Sequence, residues 1–285
     1  MASMNSIIQV LDNPPTRWIL RMLIFLRYKQ RGRKIEAVKS HKDFGAWEFR
    51  IDGVSYLSSG PGWAYDYEYL LTQLKELSGY AYLPIKGDTV IDIGAGVGEE
   101  TIIFSDLVGS GGKVYSVEAH PKTFRALSYL VAVNDLKNVV HSNVALSDIA
   151  GTVSIDDSDN SLANTILSTP KKKAFEVDAE TFDDFVERNN IDRIDLVKMN
   201  VEGAEQLIIR GMQRSLSRIK HMAISCHDFR YKNGESEFFK TKDIVLQFLE
   251  KSNFVVVTQN TANSMVDDYV YAYNPLLTSG FESNV

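Results

Sequence analysis

Two groups of residues combine side-chain types and spacing that chemistry can use. The first is Val90-Ile91-Asp92-Ile93-Gly94-Ala95-Gly96-Val97-Gly98-Glu99, a β-branched run that ends in glycines and opens a helical segment. Glycine at such a turn lets the backbone approach a ligand that a side chain would block. Asp92, two residues before the first glycine, is placed to fix the turn by accepting backbone N–H bonds. A second acid, Glu118, closes the next strand-like run, Val114–Val117. A carboxylate there can accept hydrogen bonds from both vicinal hydroxyls of a ribose. Asp92, Gly94, Ala95, Gly96, Gly98, Glu118 and the following Ala119 therefore read as a nucleotide-type cofactor site. Two other readings stay open: a dinucleotide fold of the dehydrogenase kind, and glycines that serve only the turn. A pyrophosphate cofactor favours Gly-x-Gly-x-x-Gly over the Gly-x-Gly-x-Gly found here.

The second group sits at the ends of two later apolar runs. Asn200 and Glu202 follow Ile194–Met199, and Cys226, His227 and Asp228 follow Met222–Ser225. In open α/β sheets the ligand crevice lies beyond the carboxyl ends of the strands. His227 is the candidate general base, because a neutral imidazole is available near pH 7. Glu202 can orient His227 or take the proton itself. The plainer alternatives are a strand-end backbone bond for His227 and a helix-dipole role for Glu202. Cys226 reads as a small buried apolar residue rather than a nucleophile.

The elements that must position these groups follow from periodicity. Trp47–Tyr56 alternates and turns at Asp52-Gly53, a hairpin signal. Tyr67–Leu77 has helical apolar spacing. From Asp88 on, strands and helices alternate. Strands are predicted at 89–93, 114–117, 139–144, 152–155, 194–199, 222–225, 255–258 and 269–273. Helices are predicted at 99–108, 121–133, 181–189, 202–212 and 240–251. Alternation of this kind means crossover units and a mostly parallel sheet. The last two strands have no predicted helix between them and should pair antiparallel. The predicted fold is α/β, a doubly wound Rossmann-like sheet over residues 88–275. An N-terminal helical and hairpin extension (1–87) precedes it and a short tail (276–285) follows.

The chain has 285 residues and a net charge of −6, which argues against a broad nucleic-acid partner. Residues 1–42 carry nine Lys or Arg and two acids, a net +7 that leaves −13 for the rest. Thr16 can cap a helix from Arg17 in this basic arm. Arg17, Arg21, Tyr28 and Arg31 fall near one face, with Trp18, Met22, Phe25 and Leu26 largely elsewhere. Two partners fit such a helix: an anionic membrane interface, or an apolar surface of the domain or of a second subunit. The single Cys and the absence of a signal-peptide pattern make the cytoplasm the default, with membrane association through the arm as the variant. Pro14-Pro15, the Ser58–Trp63 loop, the 159–165 polar loop and Lys171–Lys173 read as loops or solvated edges, with the polar loop also open as a substrate contact and the lysines as a contact for an anionic one. Trp63, Tyr65, Tyr67, Tyr69, Tyr80 and Tyr82 read as helix packing or as a sugar-stacking surface.

The glycine turn with its two acids resembles the adenosylmethionine site of class I methyltransferases. Residues 85–260 resemble the FkbM-type methyltransferase family more specifically. The matching segments include Val90–Ala95 with Gly98 and Thr101, Val117-Glu118-Ala119-His120-Pro121, Asn134–Val139, Ala145-Leu146-Ser147-Asp148 with Gly151, Thr181-Phe182-Asp183, and Asp195–Glu205. The resemblance implies methyl transfer from S-adenosylmethionine, with S-adenosylhomocysteine as product. The acceptor it implies is usually a hydroxyl on a glycan, glycolipid or other small molecule. In such folds Ala145 and its neighbours meet the adenine. Asn200, Glu202 and His227 are then the catalytic candidates facing the acceptor. Asn200 stands where the family has Asp, and an amide cannot ionise. That leaves positioning as its role and disfavours a divalent metal on Glu202, Glu205, His227 and Asp228. Glu118-Ala119 replaces the family's usual Glu-Pro. N-methylation and a non-catalytic scaffold remain the rival readings.

Overall fold

A computed structural model of the chain describes residues 15–30, 32–58, 66–157 and 174–278. Helix α1 (Arg17–Gln30) leads into three antiparallel strands, β1 (Ile35–His41), β2 (Ala46–Ile51) and β3 (Val54–Ser58). Asp52 and Gly53 turn β2 into β3 with φ of 51° and 85°, the positive values a two-residue hairpin turn needs. β1 is not announced by hydrophobic pattern, since only Val38 in it is fully buried. Helix α2 (Tyr67–Glu76) follows, capped by the Asp66 side chain accepting from the Tyr69 N–H.

The remaining elements are β4 (Thr89–Ile93), α3 (Glu99–Val108), β5 (Lys113–Val117), α4 (Pro121–Val133), β6 (Val139–Ser142), β7 (Ala145–Ser147), β8 (Gly151–Asp156), β9 (Ala174–Thr181), α5 (Phe182–Arg188), β10 (Ile194–Asn200), α6 (Glu205–Ile208), β11 (Ile219–Ser225), α7 (Asp228–Lys232), α8 (Lys242–Lys251), β12 (Val255–Thr258), α9 (Ser264–Asp267) and β13 (Tyr269–Tyr273). The central sheet runs β12-β13-β11-β10-β4-β5-β6. All its neighbours pair parallel except β13, which is antiparallel to β11 and β12. The order reverses between β4 and β10, so the crevice of this doubly wound α/β sheet opens there. β7, β9 and β8 form a separate small sheet.

Successive residues of each central strand face opposite sides, and both sides are covered. Val90, Leu196, Ala223 and Tyr271 join one apolar cluster with Phe104 of α3 and Leu127 of α4, and with Leu20, Trp47 and Phe49 of the N-terminal elements. Ile91, Val197, Met222 and Val270 join the other with Phe182, Phe185 and Leu249. This is why the central strands read as continuous apolar runs. Polar bonds also tie the N-terminal elements to α4. Asn134 donates to the Ser55 carbonyl and accepts from its N–H, both at 2.8 Å, and the Tyr129 hydroxyl donates to Glu48 at 2.7 Å.

Some elements differ from the sequence reading. The helix expected over 202–212 begins only at Glu205 and tightens to a 3-10 turn at Ile209–Gly211. Glu202 and Gly203 have φ of 52° and 99°, which no right-handed helix tolerates. A one-turn helix, α9, stands between β12 and β13, yet the antiparallel pairing holds. Pro14, Arg31, Trp63, Tyr65, residues 159–165, Lys171–Lys173 and the tail from 279 lie outside the described residues.

Gly98 caps α3 with φ of 96°, and a Cβ there would lie 2.5 Å from Leu130 and 2.9 Å from Leu127. Gly98→Ala should therefore cost about 1–3 kcal/mol by overpacking, read as a lower thermal midpoint. An unchanged midpoint would show that α3 does not rest on α4 in this way.

Candidate functional site

The turn after β4 is built by close backbone approaches. Gly94 and Ala95 both donate to the Val117 carbonyl, at 2.9 and 3.0 Å, which locks the turn to the end of β5. A Cβ on Gly94, whose φ is 72°, would lie 1.9 Å from the Asn200 carbonyl oxygen. Gly96 has φ of 58° and nothing within 4 Å of the place its Cβ would take. It therefore presents bare backbone to open space.

Glu118 folds back under this turn. One carboxylate oxygen accepts from the Gly96 N–H and the other from the His120 N–H, each at 2.9 Å. Each oxygen keeps a further lone pair for a ligand. Burial pushes the Glu118 carboxyl up to about 7, against these two amide bonds. Asn143 fixes the same corner by donating to the Glu118 and Ala119 carbonyls at 2.9 and 2.8 Å. The His120 Nδ1 accepts from the Thr123 N–H, and burial lowers the ring's pKa, so the imidazole is neutral at pH 7.

Beneath the turn, Lys198 of β10 stands opposite Asp92 of β4 in register. Its ammonium, 2 % exposed, donates to Asp92 at 2.9 Å and to the Gly94 carbonyl at 3.0 Å, and forms an ion pair with Glu100 at 2.9 Å. Burial alone would lower its pKa, but Asp92 and Glu100 reverse that and hold the ammonium charged. On the far side, Glu202 projects from the strained turn after β10. It accepts from Arg230 at 2.7 Å and lies 3.3 Å from the His227 Nε2. Burial raises the Glu202 carboxyl, yet the bonds from His227 and Arg230 outweigh it and hold the group below the ordinary carboxylate range. Arg230 is itself anchored by Glu235 and stacks 3.8 Å over the Phe239 ring.

These groups share one cleft at the carboxyl ends of β4, β5 and β10. Gly94, Ala95, Gly96, Glu118, Ala119, Ala145, Asn200 and Glu202 all line it, as do Glu99, Glu100, His120 and Lys198. A cleft with glycine backbone and a two-point acceptor at one end, and a charged carboxylate at the other, suits group transfer between two bound molecules.

The Methyltransferase FkbM domain matches residues 92–256 of this chain. The chain belongs to the FkbM methyltransferase family. Among curated proteins none matches its sequence. Among solved structures it is similar to an FkbM methyltransferase from Methylobacillus flagellatus, at 16% identity and a TM-score of 0.47, over 67% of this chain and 45% of that one. The chain thus spans under half the length of that protein. It is also similar to Aeropyrum pernix fibrillarin with natively bound S-adenosylmethionine (15% identity, TM-score 0.44, 84% and 98% covered) and to an S-adenosylmethionine-dependent methyltransferase from Aquifex aeolicus (17%, 0.42, 74% and 97%).

Three of the residues expected in the FkbM site lie behind its wall rather than in it. Asp92 is fully buried and accepts from Thr101 and Lys198 side chains, not from the backbone of the turn. Gly98 serves the packing of α3 on α4. His227, 3 % exposed, has Nδ1 2.7 Å from Glu205 and Nε2 facing Glu202. Burial alone would lower its pKa, but the two carboxylates carry it up to about 9. An imidazolium has no lone pair to act as a base, so this setting does not fit the base expected at His227; the ring faces the Glu202 carboxylate instead. Asp228 is spent on the Thr241 and Lys242 amides at the start of α8. Among the described residues no group of three or more His, Cys, Asp or Glu is arranged to hold a metal ion. Cys226 is buried and its thiol pushed up by burial, as a packing residue would be. Tyr67, Tyr69, Tyr80 and Tyr82 are absent from the cleft wall, and Tyr82 stacks on His221 at 3.7 Å instead.

Lys198, Glu99, Glu100, His120 and Arg230 are site residues that the sequence reading passed over. Only Lys198 left a clear signal, as a charge inside a run that must be buried on both faces. Arg230 left none, because it reaches Glu202 from 28 residues away.

The His227 cluster makes a pH prediction. Its folded pKa, about 9, lies above the unfolded value near 6.5. The stability it contributes is therefore fully present below pH 6.5 and lost as pH rises through about 9. Denaturant titrations should show stability falling over that window, and His227→Gln should flatten the slope. An identical slope in the variant would place the titration elsewhere.

Proposed function

We propose that this chain transfers a methyl group from S-adenosylmethionine to a hydroxyl oxygen of a glycan, glycolipid or other small-molecule acceptor. The observation that carries the reading is the single cleft joining the Gly96–Glu118 cradle to Asn200 and Glu202. The residues fit the cofactor by their chemistry. The two Glu118 oxygens, each with one amide bond already, suit the two ribose hydroxyls. Bare backbone at Gly96 admits close approach, and Ala119 and Ala145 offer small walls for the base.

When bound, the cofactor supplies an electrophilic methyl on a sulfonium. In-line transfer would require the acceptor oxygen to be held roughly 3 Å from that carbon, and the residues at the acceptor side of the cleft would do the holding. Asn200 orients the hydroxyl through its amide. Glu202 would be the residue placed to receive the hydroxyl proton when the acceptor oxygen is methylated. An oxygen that gains a methyl while still bearing hydrogen is a far stronger acid than any carboxylic acid. A carboxylate held ionised by Arg230 and His227 is thus a sufficient proton acceptor, and a fixed one.

Calorimetry with S-adenosylhomocysteine, with NAD as control, tests the cofactor. Binding should weaken as pH falls through about 7, because a protonated Glu118 cannot accept both ribose bonds. Glu118→Ala should cost about 1–3 kcal/mol of affinity. Binding of NAD instead would replace the reading with a dinucleotide one. Glu202→Gln should spare that affinity and lower methyl transfer about 10²–10⁴-fold, read with labelled methyl donor and a pool of hydroxyl acceptors. Cofactor binding without transfer to any acceptor by the unaltered protein would favour the scaffold reading.

A further inference from the structure

Helix α1 is apolar on the side that faces away from the protein. Leu20, Ile24 and Tyr28, spaced four apart, pack into the apolar cluster shared with Val38 and Trp47. That stripe satisfies the domain. The set expected from sequence to cover an apolar surface, Trp18, Met22, Phe25 and Leu26, stays outside it. These residues are 63 %, 48 %, 37 % and 50 % exposed, and Leu23 beside them is 43 % exposed. At 3.6 residues per turn, Trp18, Met22, Phe25 and Leu26 form one outward face. Arg21 and Arg27 flank it, Lys29 lies at its end, and all three are exposed. The stretch 15–30 contains no acid.

We propose that α1 is a peripheral membrane anchor, lying flat on an anionic lipid surface with Trp18, Met22, Phe25 and Leu26 in the acyl boundary. Charge decides between occupants. A second copy docked through the same helix would bring two acid-free basic faces together, and like charges oppose that pairing. Anionic headgroups match the arginines while the acyl region takes the apolar face. The strongly acidic remainder of the chain is repelled by the same surface, which leaves α1 as the side turned to it. No helix among the described residues is long and apolar enough to cross a membrane, so contact through α1 is interfacial. The inference does not depend on the methyl-transfer reading.

The test is co-sedimentation of the full chain with phosphatidylcholine vesicles, with and without phosphatidylserine. The unaltered protein should bind the phosphatidylserine vesicles, and high salt should weaken the binding. Arg21→Gln with Arg27→Gln should reduce the partition coefficient about 30-fold, two charges at the usual increment each. Trp18→Ser with Phe25→Ser should abolish binding. Because these residues are exposed, the thermal midpoint should not move, which separates loss of docking from loss of folding. Failure of the unaltered protein to bind, or binding untouched by both double variants, overturns the proposal. So does a dimer in solution that either double variant turns into monomer, since α1 would then cover a second copy.

Discussion

The arrangement of the cleft depends on one buried ammonium. Lys198 sits where the strand order of the sheet reverses, opposite Asp92 and under the glycine turn. Taking two charges out of water is costly, and the attraction between them offsets this only with good geometry and further bonds. Here the further bonds are those to the Gly94 carbonyl, to Glu100 and from Thr101 to Asp92. The same contacts bind β10, β4 and α3 together at the point where backbone must pass within van der Waals distance of backbone. Gly94 is required by that approach, because any side chain there would meet Asn200.

Around this fixed centre two carboxylates are tuned in opposite directions. Glu118 has only amides for partners, and burial drives it up to about 7. Glu202 has a guanidinium and an imidazolium, and stays ionised despite being largely enclosed. Environments that push two acids apart assign them different tasks. Glu202, at φ of 52°, keeps a negative charge beside Arg230 and His227.

The basic helix is the counterpart of an acidic body. Its inner stripe is used by the fold and its outer one is not, so one short element carries a packing face and an unpartnered face. The apolar residues of a helix at a protein surface are normally those that face the core. Trp18 at 63 % exposure shows how far α1 departs from that rule.

Sequence by itself determined the alternation of strands and helices and the ends of several of them, but not β1, β9 or the short helices. β-branched runs, glycine turns and Pro121 at a helix start are local signals. They placed β4, α3, α4, β12 and β13 at the ends the structure gives them. The glycine turn and its contact with Glu118 were legible for the same reason, because both lie in one strand–helix–strand stretch of the chain. Only tertiary structure decided which of these residues line the cleft. Asp92 and His227 are the right types at the right strand ends, but partners distant in the chain claim them, Lys198 in one case and Glu205 with Glu202 in the other. The outward face of α1 was settled in the same way. Periodicity shows that a helix has apolar residues on several sides, but only the packed neighbour selects Leu20, Ile24 and Tyr28 and leaves Trp18 to the surface. Long-range contacts such as Arg230 to Glu202 leave no trace in local pattern, because nothing in the spacing of 28 residues fixes where the chain returns.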